Sequence, residues 1–217
     1  MSGLVLVIGN KNYSSWSLRP WLAMKVLGLE FEERRVSLYV PGATDRLLGD
    51  SPAGKVPILI DGERRVWDSL AILGYLAESH PSLWPAAPAA RALARSISAE
   101  MHSGFAALRQ HMSMNIRKRH PGKGRTSESL ADVARIVAMW SDCRARFGAA
   151  GPFLFGGFSA ADAMYAPVVL RFRTYAVDLP PPCRAYADAV LALPPLGDWI
   201  DAAGREPESL PQFEMYG

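Results

Sequence analysis

Cysteine and histidine are scarce in this chain of 217 residues, which has two of the former and four of the latter. Cys143 and Cys183 stand far apart and form neither a CxxC pair nor a metal-ligand spacing. A disulfide-stapled fold and a cysteine-type zinc site are therefore not expected. We interpret both cysteines as buried thiols and expect no bound metal.

Long hydrophobic runs are also missing. No segment approaches the roughly 18 to 20 apolar residues that span a bilayer. The first apolar run, Leu4–Ile8, lacks the length and the basic flank of a signal peptide. Hydrophobic residues still make up 49% of the chain, which is enough to bury a sizeable core. These features predict a soluble, cytoplasmic protein without a membrane partner.

A strong excess of one charge is absent too, since the formal net charge is only +3. Residues 1–80 carry as many basic as acidic side chains, so the excess lies in residues 81–217. Much of it belongs to the run RKRHPGKGR at residues 117–125, which contains no aromatic residue for base stacking. We interpret this run as a solvated loop, with a phosphate-binding or anionic-substrate patch as the alternative. No nucleic-acid partner is expected.

Residues 1–80 alternate between strand and helix patterns. Short apolar runs predict strands, Pro20 suits a first helical turn, Gly28 suits a helix end, and Asp61-Gly62 favours a hairpin. The predicted elements are strands at 4–8, 34–39, 58–60 and 66–67 and helices at 18–27, 45–48 and 70–77. Their order, β-α-β-α-β-β-α, places the first two strands in parallel.

The proline-rich stretch HPSLWPAAP, at residues 80–88, marks a change of organisation. Beyond it only helical patterns occur, including an apolar stripe at residues 133–147 that Gly148 ends. Further helices are predicted at 91–114, 160–173, 183–193 and 196–203. The chain is therefore expected to have an α/β domain at residues 1–80, a linker at 81–88 and an all-helical domain at 89–217.

The first of three candidate functional stretches lies where the first strand leads into the first helix. Ser14 and Ser15 stand at this junction. Free N–H groups and the positive end of the helix dipole favour an anion at a helix start, and a bound thiol would be held there as thiolate. An ordinary N-cap serine is the alternative interpretation.

The other two stretches are SPAGKVPILIDG, at residues 51–62, and WDS, at residues 67–69. Pro57 stands at the start of a predicted strand. It fits either a plain edge strand or a tight turn, which can be cis. Such a turn would leave the Val56 N–H and C=O free to pair with a peptide-like ligand. Asp68 and Ser69 open a helix; they suit helix capping, yet the same groups could hold an ammonium and a carboxylate. One peptide with both charges would satisfy all three stretches.

Together these residues make the chain resemble a cytosolic glutathione S-transferase of bacterial type. The resemblance rests on GKVP (54–57), WDSLAILGYL (67–76) and FSAADAMYAP (158–167), with a serine at the first helix. It implies an α/β N-terminal thioredoxin-like domain followed by an all-α C-terminal helical domain. It also implies that Ser159 and Asp162 form a capping box at a buried helix start.

The resemblance further implies the ligands and the site. Glutathione as co-substrate and a small hydrophobic electrophile are the expected ligands, no metal is needed, and a homodimer is expected. The implied glutathione contacts are Val56 through its main chain beside a cis Pro57, Asp68 and Ser69 at the γ-glutamyl end, Lys55 at a carboxylate, and Ser14 or Ser15 at sulfur. The residues suggested for the electrophile pocket are Tyr13, Trp16, Phe105, Arg109, Met112 and Met114. Arg171 and Arg173 stand late in an apolar helix, where either they complement the C-terminal dipole or one of them contacts an anionic substrate.

The motif S-S-W-S-L-R at residues 14–19 is similar to the S-S-C-S-W-R motif of the zeta class, which slightly favours Ser14 as the thiol-activating hydroxyl. Theta-like and delta-like spacing favours Ser15 instead. Trp16 stands where the zeta motif has cysteine, which distinguishes this chain from maleylacetoacetate isomerases. The lack of a cysteine there also distinguishes it from omega-type and beta-type thiol transferases. Conjugation by a transferase is the leading hypothesis. A zeta-like isomerase or dehalogenase and a non-catalytic scaffold of the same fold are the alternatives.

Overall fold

The structure, a computed structural model, describes residues 3–216. The α/β part contains β1 (Leu4–Ile8), α1 (Ser15–Val26), β2 (Phe31–Arg35), α2 (Ala43–Asp50), β3 (Ile58–Asp61), β4 (Arg64–Trp67) and α3 (Ser69–Ser79). The helical part contains α4 (Pro88–Ser103), α5 (Ala106–His111), α6 (Ser127–Phe147), α7 (Ala160–Tyr175), α8 (Pro181–Leu191) and α9 (Pro194–Arg205). Short 3₁₀ turns lie at Pro81–Leu83, Gly148–Ala150 and Pro211–Phe213. This order confirms the predicted fold class.

A mixed four-stranded sheet forms the centre of the α/β part, in the order β2-β1-β3-β4. β1 pairs in parallel with β2 and antiparallel with β3, and β3 and β4 form the hairpin predicted from the Asp-Gly turn. Side chains alternate along β1, so Leu6 and Ile8 enter the main core whereas Val7 packs in a smaller cluster with Leu47. The chain leaves the buried end of β1 and leads directly into the first candidate stretch.

Two elements in this part begin three residues earlier than predicted, whereas the bounds of the others agree within two residues. The second strand lies at residues 31–35 rather than 34–39, because its register pairs Phe31 with Leu4. Its sequence, FEERR, is charged and mostly exposed at the sheet edge, so no apolar alternation reveals it. The first helix begins at residue 15 rather than 18, because the Ser14 side chain caps it by accepting a hydrogen bond from the Ser17 N–H.

The single helix predicted at residues 91–114 is wrong. Helix α4 ends at residue 103. Gly104 is then extended, and Phe105 takes a left-handed conformation with φ of 58° before α5 begins. A Cβ on Gly104 would lie 2.8 Å from a carbonyl oxygen of the preceding turn, so the break requires glycine. The break lets Arg109 of α5 donate hydrogen bonds to the carbonyls of Met101 and His102 at the end of α4.

Helix α7 is buried along almost its whole length. The predicted capping box is present at its start: the Asp162 carboxylate accepts hydrogen bonds from the Ser159 N–H at 2.7 Å, the Ser159 hydroxyl at 2.8 Å and the Leu154 N–H at 3.1 Å. Burial nevertheless raises the pKa of Asp162 to about 6. Because α7 packs against α1, its Arg171 reaches the start of α1.

The main hydrophobic core contains residues of both the α/β part and the helical part and so joins them. Trp21 of α1 meets Trp199 of α9 edge to face, with ring centroids 4.9 Å apart. The Lys11 ammonium lies 5.2 Å from one ring centroid and 5.1 Å from the other. This contact fixes the loop that precedes α1 against the helical part. Among residues 3–216, no helix has the combination of length and apolarity that crossing a membrane requires.

Candidate functional site

Two adjoining clefts are lined by residues of both the α/β part and the helical part. Trp16, Ala53, Lys55 and Val56 line both. The larger cleft has a volume of about 680 Å³ and the smaller about 300 Å³, sizes typical of small-molecule sites. All three candidate stretches from the sequence contribute to these clefts. Nowhere in the described part of the chain do three metal-ligating side chains gather.

Ser14 and Ser15 both line the larger cleft but have different partners. The Ser14 hydroxyl lies 2.7 Å from the Ser17 hydroxyl, and the Ser17 oxygen also accepts a hydrogen bond from the Gly9 N–H at 3.0 Å. The Ser15 oxygen accepts a hydrogen bond from Arg171 Nη2 at 3.2 Å. The Ser15 hydroxyl hydrogen therefore remains available to a ligand, since the guanidinium can only donate.

The smaller cleft contains the start of α3. The Asp68 carboxylate caps this helix by accepting hydrogen bonds from the Leu70 N–H at 2.8 Å and the Ala71 N–H at 3.3 Å. Its backbone has a φ of 74°, which is uncommon for a residue other than glycine and typical of functional positions. The Ser69 hydroxyl is buried and accepts a hydrogen bond from Arg19 Nη1 at 3.2 Å.

The turn before β3 forms the wall between the clefts. The Val56–Pro57 peptide bond is cis, as the resemblance implied. Among the backbone hydrogen bonds of residues 3–216, none engages the N–H or C=O of Val56, so both groups can pair with an extended ligand. Lys55 is exposed, lines both clefts and has no ion-pair partner in this range.

Three arginines converge around Trp16. The guanidinium carbons of Arg19 and Arg109 lie 4.4 Å and 5.0 Å from the centroid of the Trp16 ring, and Arg171 contacts the neighbouring Ser15. Burial and the neighbouring arginines together lower the pKa of Arg19 to about 9 and that of Arg171 to about 10. All three remain charged at neutral pH, and the indole face offsets part of their repulsion.

The electrophile pocket suggested from the resemblance is only partly matched by the structure. Tyr13, Trp16, Arg109 and Met114 line the larger cleft. Phe105 and Met112 do not line it, and both are buried in the hydrophobic core. The two candidate anion contacts also separate: Arg171 lines the cleft, whereas the Arg173 side chain is exposed elsewhere on α7.

His102 and Phe213 are among the cleft residues that were not predicted from the sequence. His102 of α4 lines the smaller cleft, with Nε2 3.4 Å from Asp68 Oδ2 and Nδ1 buried without a hydrogen-bond partner in the described chain. Phe213 lines the larger cleft and stacks on Tyr13 with ring centroids 5.4 Å apart. His102 lies within the helix predicted at residues 91–114 and Phe213 lies outside every predicted element, so no local motif distinguished either residue from its neighbours.

The basic run at residues 117–125 is only partly the solvated loop that was predicted. Lys118, Lys123 and Arg125 are exposed. Arg117 instead donates to the carbonyl oxygens of residues 206 and 208 and, at 2.9 Å, to the Tyr13 hydroxyl, and the His120 side chain is buried. Arg117 therefore holds the segment after α9 against a side chain of the larger cleft.

Comparison with protein families gives two matches along the chain. Residues 13–79 match the model of the N-terminal domain of glutathione S-transferase, and residues 123–202 match the model of its C-terminal domain. The first match contains the serines, the turn before β3 and the start of α3. The second contains α7 with its capping box.

Curated relatives point the same way. The chain is 30% identical to the probable maleylacetoacetate isomerase 1 of Drosophila melanogaster over 181 residues, which cover 77% of this chain and 68% of that protein. It is 39% identical to the probable maleylacetoacetate isomerase of Caenorhabditis elegans over 42% of each chain. It is 42% identical to the zeta-class glutathione S-transferase of Euphorbia esula over 31% of each chain. The matched regions thus span less than half of the last two relatives.

Solved structures share the fold. A glutathione transferase homolog from Burkholderia, with bound glutathione, superposes with a TM-score of 0.70 at 22% identity, over 93% of this chain and 97% of that one. The epsilon-class glutathione S-transferase of the housefly, Musca domestica, superposes with a TM-score of 0.71 at 19% identity, over 93% of each chain. At this level of identity the likeness concerns the fold.

Proposed function

Because the chain belongs to the glutathione S-transferase family, we propose that it binds glutathione and activates its thiol for conjugation to a small electrophile. The observation that carries this proposal is the convergence of three separate stretches on two clefts that share a wall. The smaller cleft offers groups for both ends of a peptide, and the larger offers hydroxyls and positive charge beside open space. We further propose a cytoplasmic homodimer with a glutathione-binding domain at 1–80, a linker at 81–88 and a helical domain at 89–217.

In this proposal the smaller cleft holds the tripeptide. Asp68 receives the γ-glutamyl ammonium, and Ser69 with the start of α3 receives the neighbouring carboxylate. Val56 pairs with the cysteinyl backbone through its unengaged N–H and C=O. Lys55, exposed between the clefts, meets the remaining carboxylate. The opposite charges of Asp68 and Lys55 in the smaller cleft support this assignment.

The start of α1 then ionises the thiol. Lowering a thiol pKa from about 8.5 by two units requires about 2.7 kcal/mol of preference for the thiolate. A hydrogen bond to a charged group contributes about 1.5 to 3 kcal/mol, and a helix start contributes roughly 0.3 to 1 kcal/mol. One serine hydroxyl at the start of α1 is therefore sufficient in magnitude. The electrophile is attacked in the larger cleft, where proximity lowers the barrier.

The contacts support Ser15 over Ser14 as the donor to sulfur, in contrast to the preference drawn from the zeta motif. The Ser15 oxygen already accepts a bond from a guanidinium, which polarises the hydroxyl and leaves its hydrogen unshared. The Ser14 hydroxyl lies in a buried network with Ser17. Ser14 then serves mainly as the N-cap of α1.

A zeta-like isomerase or dehalogenase, which returns glutathione unchanged or releases halide, is the second candidate function. It is supported by the curated relatives, two of which are described as probable maleylacetoacetate isomerases. The departure at Trp16 counts against it. At the position of the zeta cysteine this chain has an indole ring, and two guanidiniums lie against that ring. A panel of aryl halides, epoxides, enones and maleylacetone, each with and without glutathione, separates conjugation from isomerisation.

Calorimetric titration with glutathione tests the proposal directly. Asp68→Ala removes the group assigned to the ammonium and should weaken glutathione binding about tenfold or more. Asp178→Ala is the matched control, because the Asp178 side chain is 97% exposed and pairs only with Arg184 among residues 3–216. Absence of binding to the wild-type chain at millimolar glutathione would instead favour a non-catalytic scaffold.

A further inference from the structure

We propose that the wall of the larger cleft formed by Arg109 and Arg171 binds a carboxylate carried by the electrophile. This inference rests on the proposed function and specifies the chemical class of the second substrate. The substrate would combine an apolar body with an acid group, which narrows the small hydrophobic electrophile implied by the resemblance. The assignment is argued from charge, hydrogen-bonding capacity and the lining of the cleft.

The larger cleft has charged side chains of only one sign. Its charged lining residues are Lys55, Arg109 and Arg171, and the rest of its lining is polar or apolar. Arg19 adds a third guanidinium next to Trp16. Among the ion pairs within residues 3–216, none includes any of these arginines. An anion that enters this cleft therefore meets cations that lack direct counter-ions.

Carboxylates at longer range compensate this charge only in part. Asp68 raises the pKa of Arg19 and Asp132 raises that of Arg109, but in both residues burial acts more strongly and the pKa remains lowered. Buried like charges repel each other, and a bound anion reduces that repulsion. Its hydrogen bonds also replace part of the hydration that the guanidiniums lose on burial. The glutathione thiolate provides one negative charge. The second guanidinium of the wall is left for another anion.

Both arginines retain hydrogen-bond donors. Arg171 donates from Nη1 to the Met112 carbonyl at 2.7 Å and from Nη2 to the Ser15 hydroxyl. Arg109 donates from Nη2 to two carbonyls of α4, and its Nε is buried without a partner in the described chain. A guanidinium has five N–H donors in a planar fork that matches a carboxylate. The carbonyl contacts hold each fork in place, so little side-chain freedom is lost when an anion binds.

The remaining lining suits the carbon body of such a substrate. Leu38, Val40, Met114 and Phe213 contribute apolar surface to the same cleft. A compact electrophile can therefore bury its body against these side chains while its acid group meets the arginines. Since Arg171 contacts Ser15, the acid group would lie near the hydroxyl that faces sulfur.

A pair of aryl chlorides that differ in one charge tests this site. In both 4-chloro-3-nitrobenzoate and 4-chloro-3-nitrobenzamide, the glutathione sulfur forms a bond to the ring carbon, the carbon–chlorine bond breaks, chloride leaves, and the thiol proton passes to solvent. Each kcat/KM is divided by the uncatalysed rate constant of the same compound, which removes their intrinsic difference in reactivity. We expect the wild-type chain to prefer the benzoate about tenfold, the effect of one charge-assisted hydrogen bond.

Substitutions then locate the preference. Arg109→Met should reduce the ratio of benzoate to benzamide about fivefold or more, and Arg109→Lys, which keeps the charge but loses the fork, should reduce it less. Arg95→Met is the matched control: its guanidinium also lies over a tryptophan, 5.6 Å from the Trp84 centroid, but it lines neither cleft. Arg95→Met should leave the ratio unchanged. A wild-type ratio near one, or a ratio that Arg109→Met does not alter, would overturn the proposal.

A binding measurement without glutathione separates this proposal from the transferase activity itself. The melting temperature of the wild-type chain should rise with the benzoate and not with the benzamide, and Arg109→Met should abolish the rise. That pattern supports the anion site even if no conjugation is detected with any electrophile. Equal shifts with both compounds, or no shift with either, would contradict it.

Discussion

Replacing Ser15 with alanine tests how the thiol is ionised. The Ser15 oxygen accepts a hydrogen bond from Arg171 Nη2 at 3.2 Å, which leaves its hydrogen for sulfur. The Ser14 hydroxyl instead lies 2.7 Å from that of Ser17 in a buried network. We therefore predict that Ser15→Ala raises the pKa of enzyme-bound glutathione more than Ser14→Ala does.

The size of the effect follows from the bond that is removed. A hydrogen bond to a charged group contributes about 1.5 to 3 kcal/mol, and one pKa unit corresponds to about 1.4 kcal/mol. Loss of the Ser15 donor should thus raise the thiol pKa by about 1 to 2 units and lower kcat at neutral pH by about 10- to 100-fold. Because the hydroxyl bonds mainly to the thiolate, the Kd of glutathione in its thiol form should change only about twofold.

The measurement is a pH titration of the ultraviolet absorbance of the thiolate, with glutathione bound to each variant. Ser96→Ala is the control, since Ser96 is exposed on α4 and donates only to the Ala92 carbonyl within its helix. A full shift with Ser14→Ala and none with Ser15→Ala would refute the assignment to Ser15. Unchanged titration in the double variant would remove both hydroxyls from the mechanism.

Two further predictions concern stability. Burial raises the pKa of Asp162 to about 6, above its unfolded value of about 3.9, so this group favours folding below about pH 4 and loses that contribution as the pH approaches 6. Denaturant unfolding of Asp162→Asn should lack this part of the pH slope, and an unchanged slope would contradict the shift. Glu206→Gln should lower the free energy of unfolding by about 1 to 3 kcal/mol, because its buried carboxylate accepts from the Lys11 and Asn12 N–H groups at 2.7 Å and 3.0 Å. Urea denaturation measures this loss, and an equal loss in the more exposed control Glu208→Gln would contradict it.

The parts of the fold that could be predicted are those with strong local signals. The Asp-Gly turn fixed the hairpin, and the serine and aspartate of the capping box fixed the start of α7. The second strand was misplaced because its pairing with β1, not its own charged sequence, determines where it lies. The break between α4 and α5 was missed because Gly104 and Phe105 adopt conformations that helical periodicity cannot reveal.

The candidate site likewise contains parts that have a local sequence signal and parts that do not. Each stretch proposed to bind glutathione is contiguous in sequence, so its residue types are visible in the sequence itself. The positive wall of the larger cleft is instead assembled from separate helices. Arg171 and Arg173 are two positions apart on one helix, so they point in different directions and at most one can face α1. The packing of α7 on α1 decides that Arg171 is buried and Arg173 exposed. The net charge of +3 therefore conceals a local concentration of buried guanidiniums, and we expect that concentration, rather than the overall charge, to determine which second substrate this cleft favours.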